Sequence, residues 1–241
     1  MSLLSDHHHP SWNAFFTEDI LKLLSSIEKA IGEEYSPSRN KVLRFSETNF
    51  SNIKIVILGQ DPYPEKGRAT GRAFEVGDLY TWDQPFRQVS LKNIVRLIYK
   101  SIKKIEESES VPRFSEIVDE IINGKFPLVN PSQFFVKLEE QGVLFLNTSF
   151  TVFPGKPLSH FEIWQPFTNN LISWISMQNP NLKWFLWGKN AIAYRTLIES
   201  GILFESRHPM MCSSKYPDDF LKNKCISETV HIVNWLGNSN I

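Results

Sequence analysis

Cysteine, net charge and long apolar runs are what this chain has least of. Its 241 residues include two cysteines, Cys212 and Cys225, too few for a disulfide framework. Basic and acidic residues number 26 each, so the formal net charge is zero. That excludes a histone-like binder held by bulk charge, while leaving room for a local basic patch. No apolar run is long enough to span a bilayer, and no signal peptide is visible. We therefore expect a reduced, cytoplasmic, soluble protein with no membrane partner. Familiar catalytic signatures are missing as well. There is no G-x-x-x-x-G-K-[ST] and no G-x-G-x-x-G after a strand, so the usual phosphate cradles are absent. There is no H-E-x-x-H, no cysteine pair at zinc spacing and no G-x-S-x-G elbow. The short run His7, His8 and His9 offers imidazoles, but a solvated terminus or a tag remnant explains it better than a metal site.

What is present is a globular composition rich in rings: 41% hydrophobic residues, with 18 Phe and 7 Trp. The stretch Ile53-Lys54-Ile55-Val56-Ile57-Leu58-Gly59-Gln60-Asp61-Pro62-Tyr63-Pro64 organises the rest. It begins as a short apolar run rich in β-branched residues, the mark of a strand buried on both faces. Gly59 then lets the backbone turn, and Pro62 and Pro64 stiffen a loop that carries a carboxylate and a phenol. A strand followed by a capped turn would account for these residues equally well.

Three further apolar runs follow: Val143–Leu146, Lys183–Trp187 and Gly201–Glu205. Between them, apolar residues recur at helical spacing over Ser11–Ile31, Ser90–Glu107, Phe114–Gly124, Trp164–Met177, Asn190–Ser200 and Asp218–Leu236, with a loop and helix over Pro127–Gln141. Ser90 stands where a helix N-cap would. Strands alternating with amphipathic helices predict a three-layer α/β/α fold, with a central four-stranded, mainly parallel sheet. The length suits one domain over 1–241. Each strand ends at a polar or glycine corner: Asp61, Asn147, Gly188 and His208. In such a sheet those corners share one edge, where ligands bind. One carboxylate, one imidazole, one amide and nearby rings suit recognition of a planar heterocycle, since an amide presents one donor and one acceptor in a fixed plane.

These residues also resemble a known family. Gly59-Gln60-Asp61-Pro62-Tyr63 is similar to the water-activating loop of the first family of uracil-DNA glycosylases. Gly71-Arg72-Ala73-Phe74 resembles that family's G-x-A-F, and Gln141–Thr148 its strand ending in a base-reading Asn. Phe185-Leu186-Trp187-Gly188 is similar to its L-W-G motif, and His208-Pro209 to the start of its H-P-S-P-L loop. The motifs run in family order from about Trp12 onward. The resemblance implies excision of uracil from single- or double-stranded DNA by a monomer that needs no metal or organic cofactor. It implies that Asp61 positions the water and stabilises a cationic sugar, and that a neutral His208 donates to uracil O2. Phe74 would stack on the flipped base, Asn147 would read its N3–H and O4, Tyr63 would exclude a C5 methyl, and Gln60 would shape the pocket. Alternatives are a glycosylase for another damaged base and a non-catalytic DNA- or protein-binding relative.

The match departs from the family after His208-Pro209, where Met210-Met211-Cys212-Ser213-Ser214 stands in place of Ser-Pro-Leu. Cys212 occupies the wedge position in strict register, while Met211 is longer and more adaptable. This puts duplex flipping in question more than bond cleavage, so a preference for single strands is expected. Ser213, in the same loop, is a further candidate DNA contact. Gly188 and Lys189 are candidate phosphate contacts, Lys189 standing where the family often has Ser. Ser90 is a candidate phosphate contact or only a helix cap. The stretch 115–131 is longer than the family's connector and has no assigned role.

Overall fold

The computed structural model describes residues 3–5 and 7–238. At its centre lie four strands, β1 (Ile55–Gly59), β2 (Val143–Asn147), β3 (Lys183–Trp187) and β4 (Ile202–Ser206). Their order across the sheet is β2-β1-β3-β4, and all three pairings are parallel. β1 is therefore an inner strand, and every one of its residues is buried, as its unalternating apolar run predicts.

Among the described residues the α-helices are α1 (Glu18–Ile31), α2 (Val89–Lys103), α3 (Phe114–Ile122), α4 (Pro131–Glu140), α5 (Phe161–Gln178) and the single turn α6 (Lys189–Ile192). They divide between two faces, and the period-two geometry of the strands shows how. Ile55, Ile57, Val143, Phe145, Phe185 and Trp187 join the apolar side chains of α2, α3 and α4. Their neighbours Val56, Leu58, Leu144, Leu146, Trp184 and Leu186 join those of α1 and α5. A core side chain of this size contributes roughly 1.5–3 kcal/mol over its exposed state. Two such cores make the sheet a rigid plate, and both clamp the strand ends that carry the site.

Four of the expected helices differ in extent. The pattern over Ser11–Ile31 divides into a 3₁₀ turn at Pro10–Trp12 and α1, which starts only after Thr17 Oγ1 accepts from the Ile20 N–H at 3.4 Å. The rings of Trp12, Phe15 and Phe16 are buried all the same. Gln88, not Ser90, occupies the N-cap of α2, so Ser90 is already inside the helix. The segment 190–200 is α6 followed by a 3₁₀ turn at Ala193–Leu197. No helix spans Asp218–Leu236, which holds a 3₁₀ turn at Phe220–Lys222 and further turns. Polar side chains win the backbone there. Asp219 accepts from Leu221 N–H at 3.2 Å, Asn223 from Cys225 N–H at 2.8 Å and Asn234 from Leu236 N–H at 3.1 Å, each an alternative to a helical hydrogen bond.

The segment 115–131 forms α3 and a loop that cover α2. Tyr99 Oη donates to Glu120 Oε1 at 2.6 Å, and Phe126 is buried. Its place is structural.

Candidate active site

The four parallel strands end on one edge of the sheet, and the loops leaving them bring together residues far apart in sequence. Asp61, Tyr63, Phe74, Asn147, His208 and Met210 all line one cavity of about 260 Å³ there. Gln60 and Ser90 also line it. A space of about 220 Å³ adjoins it, walled by the start of α6 and sharing Gly59, Gln60, His208 and Met210.

Two glycines permit this convergence. Gly59 and Asn147 are paired at the ends of β1 and β2. A Cβ at position 59 would lie 2.6 Å from Asn147 Oδ1 and 2.6 Å from Ala73 Cβ. At position 188, where φ is +94°, a Cβ would meet His208 Cβ at 2.8 Å. Side chains are thus excluded at both positions so that Asn147 and His208 can approach the cavity. Gly188 is buried, its N–H donating to Ser206 O at 2.8 Å.

The loop after β1 is pinned through its backbone. The Gln60 carbonyl accepts from Thr148 N–H (3.1 Å), Thr148 Oγ1–H (2.9 Å) and Ser149 N–H (2.8 Å). The Asp61 carboxylate is held at both oxygens. Gln60 Nε2–H donates to Oδ1 at 2.9 Å, and Leu158 N–H donates to Oδ2 at 2.8 Å. Leu158 has a left-handed backbone, φ 64°, and its side chain is exposed.

Asn147 is buried at 4% exposure. Among the described residues its amide meets no hydrogen-bond partner, so donor and acceptor remain for a ligand. Phe74 also has a left-handed backbone, φ 65°, a conformation that costs a bulky residue about 1–3 kcal/mol. Its ring centroid lies 5.6 Å from that of Trp187 and 6.4 Å from that of His208. Tyr63 Oη is 3.5 Å from Phe74 O, and burial raises its phenol far above the usual range. The Phe74 loop is anchored by Arg72, which is buried and pairs with Glu75 at 3.1 Å and with Glu139 of α4.

His208 Nδ1 accepts from the Met210 N–H at 3.2 Å. A ring nitrogen that accepts carries no proton, so the neutral imidazole bears its hydrogen on Nε2. Burial lowers its pKa below the ordinary imidazole value. The loop beyond is held to α2 by the buried Asn93, whose Nδ2–H donates to Pro209 O at 2.6 Å.

The other sequence candidates divide by exposure. Met211 is 57% exposed and Met210 59%. Cys212 is half-buried, with Sγ 3.2 Å from Pro209 O and its thiol pushed up to about 12 by burial. It faces the protein, while Met211 faces out and Met210 stands exposed at the rim of the cavity. Ser213 is tied back through its N–H to Asp219 Oδ1 at 2.6 Å. Lys189 is exposed at the start of α6. The imidazoles of the terminal run are engaged locally, His8 Nε2 with Asn13 Oδ1 and His9 Nδ1 with Ser11 Oγ. Among the described residues no group of three or more His, Cys, Asp or Glu is placed to hold a metal.

Sequence reasoning missed Leu158, Arg72, Asn190 and Met210. Leu158 acts through a backbone N–H, which its side chain does not advertise. Arg72 lies inside a recognised motif but at its variable position. Asn190 Nδ2–H donates to Gln60 Oε1, a contact across 130 residues that only the fold creates. Met210 does carry a signal in the sequence, a flexible thioether two residues after His208.

Comparison with known proteins points to one family. A family profile described as the uracil DNA glycosylase superfamily matches residues 45–231. A uracil-DNA glycosylase of Francisella tularensis subsp. holarctica is 33% identical, over 83% of this chain and 80% of its own length. One from Borrelia duttonii is 28% identical, over 91% of both. The wild-type UNG structure from Nitratifractor salsuginis shares the fold with a TM-score of 0.71 at 21% identity, covering 96% of this chain and 92% of that one.

Proposed function

The chain belongs to the uracil-DNA glycosylase superfamily, and on that premise we propose that it hydrolyses the N-glycosidic bond of deoxyuridine in DNA, releasing uracil and leaving an abasic site. The observation that carries this reading is the single cavity lined by Asp61, Tyr63, Phe74, Asn147 and His208.

The chemistry separates charge. As the bond between C1′ and N1 breaks, the sugar becomes cationic and the uracil anionic. Asp61, held at both oxygens, points a fixed negative charge at the sugar and orients the attacking water. His208 Nε2–H donates to O2, where the base gathers charge. Fixed donors and charges that need no reorganisation are the largest catalytic contribution in most enzymes. The unpartnered Asn147 amide matches uracil N3–H and O4, whereas cytosine presents the reverse pattern. Tyr63 leaves no room for a thymine methyl, and Phe74 supplies a stacking face of roughly 1–3 kcal/mol.

The finer parts of the reading follow from the rim. The exposed Met211, with Met210 beside it, serves as the wedge, while Cys212 backs the loop. Ser90, Gly188, Lys189 and Ser213 border the DNA path. We propose a cytoplasmic monomer that favours single strands, because a thioether wedge fills a vacated base stack less fully than a branched one.

The test is release of free base from single-stranded oligonucleotides carrying one uracil, one 5-methyluracil (thymine) or one cytosine target. Release of uracil alone supports the reading. Release of none, with the oligonucleotide still bound, contradicts it and favours a non-catalytic relative.

A further inference from the structure

Asp61 is joined to the start of α6 by two side chains in series. Gln60 Nε2–H donates to Asp61 Oδ1 at 2.9 Å, and Gln60 Oε1 accepts from Asn190 Nδ2–H. The polarity of this chain is dictated from one end. An ionised carboxylate accepts only, so it must face the NH₂ of Gln60. That leaves the Gln60 oxygen toward Asn190, which must then offer its own NH₂. If Asn190 offered no donor, the hydrogen bond to Asp61 would be the one remaining tether of the Gln60 amide, which could then swing away from the carboxylate.

We infer that Asn190 is a positioning residue for the Asp61 carboxylate, acting through Gln60. The inference rests on the activity proposed above. Three features of the fold support it. The Gln60 backbone is immobilised by three donors to its carbonyl, so the side chain is the remaining freedom. The other carboxylate oxygen is held by a backbone N–H from a different loop, that of Leu158 at 2.8 Å, so Gln60 supplies the second of two points that fix the plane of the carboxylate. Asn190 stands on α6, two residues after its N-cap Gly188, where an added Cβ would meet His208 Cβ at 2.8 Å, so the same turn lies close to the other catalytic side chain. One short turn therefore sets the Asp61 plane and the His208 approach together.

Asn190 is exposed, so its substitution leaves both cores intact. Asn190→Ala should lower the single-turnover rate of uracil release from a single-stranded oligonucleotide about three- to ten-fold, the range for one net hydrogen bond. The affinity for that oligonucleotide, measured in an Asp61→Asn background, should be unchanged. Asn190→Asp, which replaces the donor by acceptors, should lower the rate further, and Asn190→His, which restores a donor, should recover part of it. In a double-mutant cycle, Asn190→Ala should add nothing once Gln60→Ala is present. Additive losses, or an unchanged rate for Asn190→Ala, would overturn the inference. So would a change confined to affinity, which would make Asn190 a DNA contact. A measurement independent of turnover is the Gln60 side-chain amide resonance in the free protein. It should move in Asn190→Ala and in Asp61→Asn, and its indifference to both would overturn the relay. If the wild type releases no uracil while those resonances move, the activity proposal fails and the relay survives.

Discussion

Gly59 and Asn147 face each other across the β1–β2 ladder, so closely that a Cβ on residue 59 would sit 2.6 Å from Asn147 Oδ1. The two residues that open and close the pocket floor are thus fitted to each other. Gly59→Ala should push the Asn147 amide and the Ala73 backbone outward together. We expect a loss of about 1–3 kcal/mol in stability, typical of overpacking, and a fall on the order of 10²-fold in uracil release, typical of a reading group displaced by about 1 Å. Urea unfolding and single-turnover kinetics measure the two effects separately, and a fully active Gly59→Ala would show that Asn147 does not need this contact.

His208 should titrate below the ordinary imidazole value near 6.5, because burial disfavours its charged form and its Nδ1 is occupied as an acceptor. The sign follows directly. The unfolded chain binds the proton more readily, so this residue's contribution to stability is complete above the unfolded value and is lost as pH falls through it toward the folded one. Uracil release should lose rate at lower pH still, as pH falls through the folded value and the ring takes up its proton. Nitrogen-15 NMR should report a neutral, Nε2-protonated ring at pH 7.5, and an imidazolium at that pH would contradict the account.

Arg72 is buried between Glu75 and Glu139. Arg72→Ala leaves the buried Glu75 and the half-buried Glu139 without their cation, and breaking a buried pair costs about 3–5 kcal/mol. Arg72→Lys keeps the charge but not the fork that meets both partners, so it should fall between. Urea midpoints measure the series, and a midpoint for Arg72→Ala equal to wild type would remove Arg72 from the support of the Phe74 loop.

Met211→Ala should reduce excision from duplex DNA more than from single strands, since an apolar wedge acts only where a stack must be filled. Cys212→Ala should leave the ratio of the two rates unchanged, its thiol being turned inward. Equal rates on both substrates, unaffected by Met211→Ala, would remove the wedge from this loop.

Much of the architecture was legible in the residues because short runs such as Ile55–Leu58 and Val143–Leu146 are apolar without alternation, a pattern that fits few places other than an inner parallel strand. The corners Asp61, Asn147 and His208 followed, since parallel strands share one ligand edge. Where reading by periodicity failed, local polar chemistry had won. Asp219, Asn223 and Asn234 turn the C-terminal segment repeatedly, although Phe220, Cys225, Ile226, Val233 and Trp235 are all buried and suggest a helix. The supports of the site were hidden for another reason. Leu158 holds Asp61 with a backbone N–H, and Asn190 reaches it through Gln60. Neither relation has a signature in local sequence, because both arise only when loops from different strands meet.

The central claim is that the Asp61 carboxylate drives loss of uracil in the absence of metal. It is tested most directly by single-turnover excision from an end-labelled single-stranded oligonucleotide carrying one uracil, in EDTA, with wild type and Asp61→Asn side by side. The account predicts an alkali-labile abasic site with wild type and a rate lower by on the order of 10²-fold or more in the variant, the scale of losing one preorganised charge contact. Equal rates for the two proteins, or wild-type cleavage abolished by EDTA, would contradict it.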